Sequence, residues 1–356
     1  MHLNRRPNHR FSPVRWISGI LLVCTGLLFA RTNTGSSFYI KNEITTESNI
    51  FEDSTSTQST GNQLWFGLSH NYLSKRQNLR LNLVSNLSHY TRHSIESKAV
   101  NMLAVQHDYN LFNAFSLYST IDIFNKQWYQ ANNGYTSSRI NSGINYSTKK
   151  ISTLIGGEYQ YNRFPSFNYF TSDYSGLFLQ VNHRYSDKNI LSIKTTWHSI
   201  RYSDRLITFS ENSDSIGLPY QNDELLTLQV GTEIRRKNIY GAYFCYMINT
   251  SNNPTATFHA ASCRLFASQK ILGVYAQIII ELQLKEYSEN PVQPLIFTNP
   301  DPEQNIQNQL LLGWDKPLSP HFSLQGKLAY FKNETVYSDQ FYDKWFVSIG
   351  ILYRIP

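Results

Sequence analysis

Between Asn78 and Tyr90 the chain alternates strictly. Leu79, Leu81, Leu83 and Leu87 fall on one face of an extended strand, and Arg80, Asn82, Asn86 and Ser88 on the other. The same period of two sets Leu177, Leu179 and Val181 against Phe178, Gln180, Asn182 and Arg184, and Leu226, Leu228 and Val230 against Thr227, Gln229 and Glu233. It runs longest where Leu272, Val274, Ala276, Ile278, Ile280, Leu282 and Leu284 oppose Tyr275, Gln277, Glu281, Gln283 and Lys285. A helix would scatter these residues around its surface, so the pattern predicts strands with one apolar and one polar face.

Strands of this kind are predicted near 37–51, 61–73, 77–91, 97–110, 113–127, 136–149, 151–164, 172–186, 189–203, 222–236, 238–250, 256–269, 271–287, 304–317, 320–334 and 343–355. The connectors sort into two kinds. Tight turns fall at Ser74 to Arg76, Leu111 to Phe112, Lys150, Asp187 to Lys188, Lys237, Lys270 and Leu318 to Ser319, while 52–60, 92–96, 128–135, 165–171, 204–221, 251–255, 288–303 and 335–342 are longer. Long and short connections thus alternate hairpin by hairpin, as when the two ends of a barrel face different compartments. The segments also exceed the roughly 5–6 residues usual for a soluble strand and reach the roughly 9–11 that a tilted membrane strand needs. The expected fold is all-β: a single antiparallel transmembrane β-barrel of about 16 strands, with 14 as the alternative count. A soluble secreted β-protein is the structural runner-up.

Residues 1–30 hold Arg5, Arg6, Arg10 and Arg15, no acidic residue, and then the apolar run Ile17 to Ala30. This reads as a secretory signal peptide, too short for a spanning helix of about 20 residues. The barrel is expected over 31–356, with no plug-sized module ahead of its first strand. Taking the four leader arginines from 32 basic residues leaves 28 against 25 acidic ones, so the basic balance says little about nucleic acid. Mean hydropathy is negative at −0.39, which a barrel with a wet interior tolerates and a helical bundle does not. The 24 tyrosines fit interfacial girdles, with Tyr72, Tyr90, Trp128, Tyr129, Tyr159, Tyr161, Trp197, Tyr202, Trp314 and Tyr330 near segment ends; cross-strand packing is the plainer explanation. Cys245 and Cys263 lie on consecutive strands, where a bond is open but two small apolar side chains fit cross-strand geometry better.

The segment Gly350-Ile351-Leu352-Tyr353-Arg354-Ile355 resembles the last-strand signal by which Gram-negative outer-membrane proteins are recognised for barrel assembly. Gly350 is followed at three and five residues by Tyr353 and Ile355; Ile349 stands where a polar residue is usual, and Pro356 replaces a terminal aromatic residue. Glu47-Ser48-Asn49-Ile50-Phe51 is similar to the opening hairpin of several porin-sized barrels. The resemblance implies export to the outer membrane of a Gram-negative bacterium. The partners it implies are membrane lipid and lipopolysaccharide, the barrel-assembly machinery and a periplasmic partner, with no nucleic acid.

About 16 strands enclose more space than side chains alone fill, so a pore is the default function. The inward face is read to carry Lys41, Arg80, Lys126, Arg139, Arg163, Arg184, Lys194, Arg201, Arg235, Lys285, Lys327 and Arg354 against Glu43, Glu47, Asp122, Glu158, Glu233, Glu281 and Asp315. Arg80, Lys126, Arg139, Glu158, Arg184, Lys194, Glu233, Glu281, Lys285 and Lys327 are the candidate pore-lining residues. The cationic excess favours anions; an equal alternative is that opposite signs pair across strands and hold the wall. The third long connector is too short to fold inward as it does in general porins. Narrowing then falls to 204–221, to 288–303 with Pro291, Pro294, Pro300 and Pro302, to inward aromatic residues, or to a partner.

Barrel enzymes are the competing class. His198-Ser199 is the best nucleophile–base pair on offer, but adjacent strand residues point to opposite faces. The other histidines match no ligand spacing, and Asp173, Glu211, Asp214, Asp301 and Glu303 read as solvated loop charge. No enzyme activity, cofactor or metal is expected. The expected function is a channel for passive or partner-gated passage of small hydrophilic solutes; the alternative is a non-conducting barrel that anchors a secretion or surface-assembly apparatus or acts as an adhesin.

Overall fold

Period-two alternation sustained through sixteen segments has one low-energy outcome in a lipid-like surround, a sheet that closes on itself and leaves no edge. The computed structural model describes residues 34–50, 56–130, 134–166, 168–206, 220–288, 308–333 and 342–355. The expected leader at 1–30, the prolines of 288–303 and the loop acids Glu211, Asp214, Asp301 and Glu303 lie outside the described residues.

The strands are β1 (Thr34–Glu47), β2 (Ser59–Leu73), β3 (Gln77–Tyr90), β4 (Lys98–Phe112), β5 (Phe115–Trp128), β6 (Gly134–Ser147), β7 (Ile151–Arg163) and β8 (Ser172–Ser186). They continue as β9 (Asn189–Leu206), β10 (Tyr220–Arg235), β11 (Ile239–Ser251), β12 (Phe258–Ile271), β13 (Val274–Tyr287), β14 (Asn308–Pro317), β15 (Phe322–Asn333) and β16 (Tyr342–Ile355). Each pairs antiparallel with its neighbours in sequence, and β1 pairs with β16 to close the barrel. The closing seam runs from Phe38 opposite Ile355 to Glu47 opposite Phe346. Sixteen strands is the expected count.

Residues directly opposite each other share a face, so the register carries facing around the ring. From Lys41 opposite Trp65, through Arg80 opposite Gln106, Asp122 opposite Arg139 and Arg264 opposite Glu281, one face collects the charged and amide side chains. The other carries exposed Ile44, Leu117, Ile121, Ile140, Leu177, Leu228, Leu265 and Ile351. Burying so much apolar surface in water-free surroundings is the only arrangement that stabilises it, so this outer face is the lipid face.

Ionisable side chains on the outer face gather near strand ends. Arg163, Asp173, Arg201, Glu224, Glu286, Lys332 and Asp343 sit toward the long-connection end, and none occupies mid-belt among the described residues. Polar outer residues nearer the middle are paired instead: Asn42 and Asn62 exchange amide bonds at 3.1 and 3.2 Å, and Asn101 accepts from Ser85 at 2.8 Å. In hydrocarbon an unmet amide is costly, so pairing is the expected remedy.

Several sequence expectations need correcting. Two tight turns are displaced: β4 extends to Phe112 and β12 to Ile271, so the turns begin at Asn113 and Leu272. The reason is backbone handedness, because Asn113 (φ 44°), Leu272 (φ 49°) and Gly273 (φ 83°) supply the left-handed positions a short hairpin needs. Arg163 and Arg201 face outward, opposite Thr136 and Asp173 respectively. Tyr90, Trp128 and Tyr202 point into the barrel rather than into a girdle, since Tyr90 lies opposite Gly61, Trp128 opposite Lys98 and Tyr202 opposite Ser172. The cysteines follow the favoured expectation instead: Cys245 and Cys263 are both free, with Cys263 opposite Phe244 and Cys245 opposite Ser262, so the two point to opposite sides of the sheet.

Candidate functional site

The inner wall is the candidate site, and its chemistry varies with height. Toward the long-connection end the inner side chains are packed. Tyr90, Tyr135, Ile200, Tyr202, Asp223 and Phe258 are all buried. Rings stack in sequence there, Phe124 on Tyr135 with centroids 5.2 Å apart and Tyr135 on Phe164 at 5.3 Å. Toward the short-turn end the inner residues Asn71, Asn110, Arg184 and Arg354 are exposed. The bore is therefore narrower at its long-connection end.

All ten candidate lining residues lie on the inner face by register, and they divide by what they touch. Arg139 forks onto Asp122 at 2.8 and 3.1 Å, with both side chains well exposed to the lumen. Such an exposed pair contributes about 0–1 kcal/mol, enough to set wall register but little more. Glu233 accepts from Arg235 at 2.5 Å and from the Tyr243 hydroxyl. Glu281 accepts from the Gln309 amide at 2.8 Å. Arg80 lies against the side-chain carbonyl of Asn78, 3.2 Å away in the amide orientation that satisfies both.

Lysines near the narrow end use aromatic faces. Lys126, almost fully buried, sits 4.8 Å from the Trp128 ring centroid. Lys285 lies 3.8 Å from Phe258 and 4.7 Å from Tyr287, and Lys327 4.9 Å from Phe346. An ammonium over a ring face keeps part of the stabilisation it loses with its water.

Glu158 and His198 approach across strand β8, with Nε2 3.4 Å from Oε1. The contact exists because Gly176 lies between them, where an added Cβ would come within 2.4 Å of the imidazole. His198 points inward and Ser199 outward, so the two make no nucleophile–base pair. Among the described residues no group of three or more His, Cys, Asp or Glu side chains could hold a metal.

Lys194 and Arg184 are different. Neither has a side-chain hydrogen bond or ion pair among the described residues, and both face the lumen opposite polar or apolar neighbours, Gln180 and Gln229 for Lys194 and Ile190 for Arg184.

Sequence reasoning missed six inner-face charges: Lys98, Asp108, Asp223, Arg264, Lys270 and Lys344. Parity could have found them, since Arg264 lies opposite Glu281, and Asp223 shares its face with Gln229 and Glu233 on one strand. Asp223 organises the narrow end. It accepts from Gln221 at 2.9 Å, from Ser251 at 2.5 Å and from Asn249 at 3.4 Å. Lys344 binds Glu47 at 2.6 Å beside the closing seam, with both groups buried.

The last-strand residues are also placed. Gly350 faces inward, where a Cβ would come within 2.5 Å of the Asn42 carbonyl. Tyr353 and Ile355 face lipid at the short-turn end, and Tyr353 packs on Phe322 with centroids 4.8 Å apart.

No family model matches the chain, and no curated protein matches it. Solved structures with a similar architecture are outer-membrane β-barrels. CdiB from Acinetobacter baumannii superposes with a TM-score of 0.48 at 10% identity, over 89% of this chain and 60% of its own. The chain thus spans well under two thirds of CdiB. OmpT of Vibrio cholerae, in its in-vitro folded trimer form, gives 0.49 at 10% identity, over 91% of this chain and 100% of its own. OccK11 (OpdR) from Pseudomonas aeruginosa gives 0.40 at 9% identity, over 91% and 96%.

Proposed function

We propose that the chain is a channel of the Gram-negative outer membrane for small hydrophilic solutes, with a mild preference for anions. The long-connection end is then the cell exterior and the short-turn end the periplasm. The observation that carries this reading is the inner wall itself, a closed ring of sixteen strands whose inward side chains are polar, charged and increasingly exposed toward one end. A polar face turned inward on a ring of this size is stable only if water fills it.

The anion preference rests on the balance of paired and unpaired charge. Acidic inner residues have partners: Asp122 with Arg139, Glu43 with Lys41 and Trp65, Glu47 with Lys344, Asp315 with Arg354 and Gln325. Arg184 does not, Lys194 has only the longer-range attraction of Glu158, and inner cations outnumber inner acids, so the field left in the lumen is cationic. Both sequence alternatives for the wall charges therefore have a place, pairing for most and selectivity for the remainder. The proposal gives the chain no catalytic role.

The packed outer end favours a second reading, a barrel that stays closed until a partner opens it or that serves only as an anchor. Reconstitution in planar bilayers tests the two. Steady ohmic current with a reversal potential on the anion side in a salt gradient supports the open channel. Silence from folded barrels overturns it and leaves the closed reading.

A further inference from the structure

A recess of about 460 Å³ opens in the inner wall at the short-turn end, between β6 and β11. Asn145, Ser152, Gln180, Asn182, Ser192 and Arg184 line it, a row of amides and hydroxyls that both donate and accept beside the Arg184 guanidinium. Glu233, the acid in this lining, is already neutralised: Arg235 holds one carboxylate oxygen, with Nε 2.7 Å away, and the Tyr243 hydroxyl donates to the other. Arg184 remains uncompensated among the described residues, its side chain exposed to the lumen.

The turns around the recess add charge of the same sign. Lys149 and Lys150 follow β6, Lys188 follows β8, and Arg236 and Lys237 follow β10; the only acid in these three turns is Asp187. Cations gathered around a low-dielectric concavity focus their field into it and raise the local anion concentration. A free guanidinium offers two parallel N–H donors matched to a carboxylate or phosphate.

We infer that this recess is a binding subsite for a small polyhydroxylated solute bearing a carboxylate or a phosphate. Arg184 holds the anion, and the amide and hydroxyl row holds the hydroxyls. The inference deepens the channel reading, on which it rests for the route by which solute arrives, but binding itself does not require current.

Isothermal titration of the folded full-length barrel in nanodiscs, at low salt, with gluconate, glucose 6-phosphate and glucose tests it. At least one anion should bind, and glucose should bind at least about tenfold more weakly. Tighter gluconate assigns a carboxylate and tighter glucose 6-phosphate a phosphate. Arg184→Gln should weaken the anion about tenfold or more, and Gln180→Ala should weaken it without changing charge. Arg163→Gln, on the outer face, should leave it unchanged. Equal binding of glucose, no anion binding, or wild-type affinity in both inner-wall variants overturns the subsite. Loss of anion binding in a barrel that conducts refutes the subsite alone, whereas anion binding by a barrel that carries no current upholds the subsite and removes the channel.

Discussion

Tyr90 on β3 reaches over Gly61 of β2 to donate a 2.5 Å hydrogen bond to Glu47 on β1. The same carboxylate binds Lys344 of β16 at 2.6 Å, so one buried group ties together strands on both sides of the seam where the first and last strands meet. A Cβ on Gly61 would stand 2.7 Å from the Tyr90 ring and 2.8 Å from the His89 carbonyl. The glycine is therefore a seat for the tyrosine.

Breaking this latch should weaken the closed barrel. Glu47→Ala strips a buried ammonium of its carboxylate, a change that costs about 3–5 kcal/mol. Tyr90→Phe leaves a buried carboxylate oxygen short of one donor, at about 1–3 kcal/mol. Gly61→Ala forces the ring aside at about 1–3 kcal/mol. Urea midpoints read from the shift between folded and unfolded bands on a cold gel should fall in all three variants, furthest in Glu47→Ala; three unchanged midpoints would remove the latch from the account.

The facing of the two cysteines gives a labelling prediction. Cys245 points into the bore and Cys263 into lipid. A charged, membrane-impermeant thiol reagent should modify Cys245 in folded barrels and spare Cys263, whereas an apolar maleimide dissolved in the bilayer should reach Cys263. Mild oxidation should produce no intramolecular disulfide, because the two side chains leave the sheet in opposite directions. Mass spectrometry of each cysteine peptide distinguishes the outcomes, and reversed reactivity would invert the assignment of faces.

At the β12–β13 turn, Leu272 is fully exposed and held at φ 49°, followed by Gly273 at φ 83°. Two left-handed residues in a row suit Asn-Gly far better than Leu-Gly, since a γ-branched apolar side chain has neither local hydrogen bonding nor burial to offset the strain. Leu272→Asn should raise stability by about 1 kcal/mol in the same urea assay. A loss of stability would mean that the leucine makes a contact beyond this chain.

Strand number and type were legible in the sequence because a membrane barrel forces them. Alternation from Leu226 to Glu233 fixes one face for lipid, and the matching run from Val274 to Lys285 repeats it. What the pattern could not fix lay at strand ends, where both faces meet water or headgroups and alternation loses its cause. Arg163, Arg201, Tyr90, Trp128 and Tyr202 all stand in such positions, and their facing follows from cross-strand register instead. The turn at Leu272-Gly273 was missed because a leucine is a poor left-handed residue, although the glycine beside it was the signal. The pairing that leaves Arg184 free while engaging Arg235 depends on the rise of two strands and was beyond any single-strand pattern.

The alternation of lipid and water along β10 is the central claim, and nitroxide scanning from Leu226 to Gly231 tests it most directly. Single spin labels at Leu226, Leu228 and Val230 should collide with oxygen dissolved in the bilayer and be shielded from a water-soluble nickel chelate. Labels at Thr227, Gln229 and Gly231 should show the opposite preference, with a period of two. Accessibility that fails to alternate, or an inner face closed to the chelate at every position, would contradict a water-filled bore inside a lipid-clad barrel.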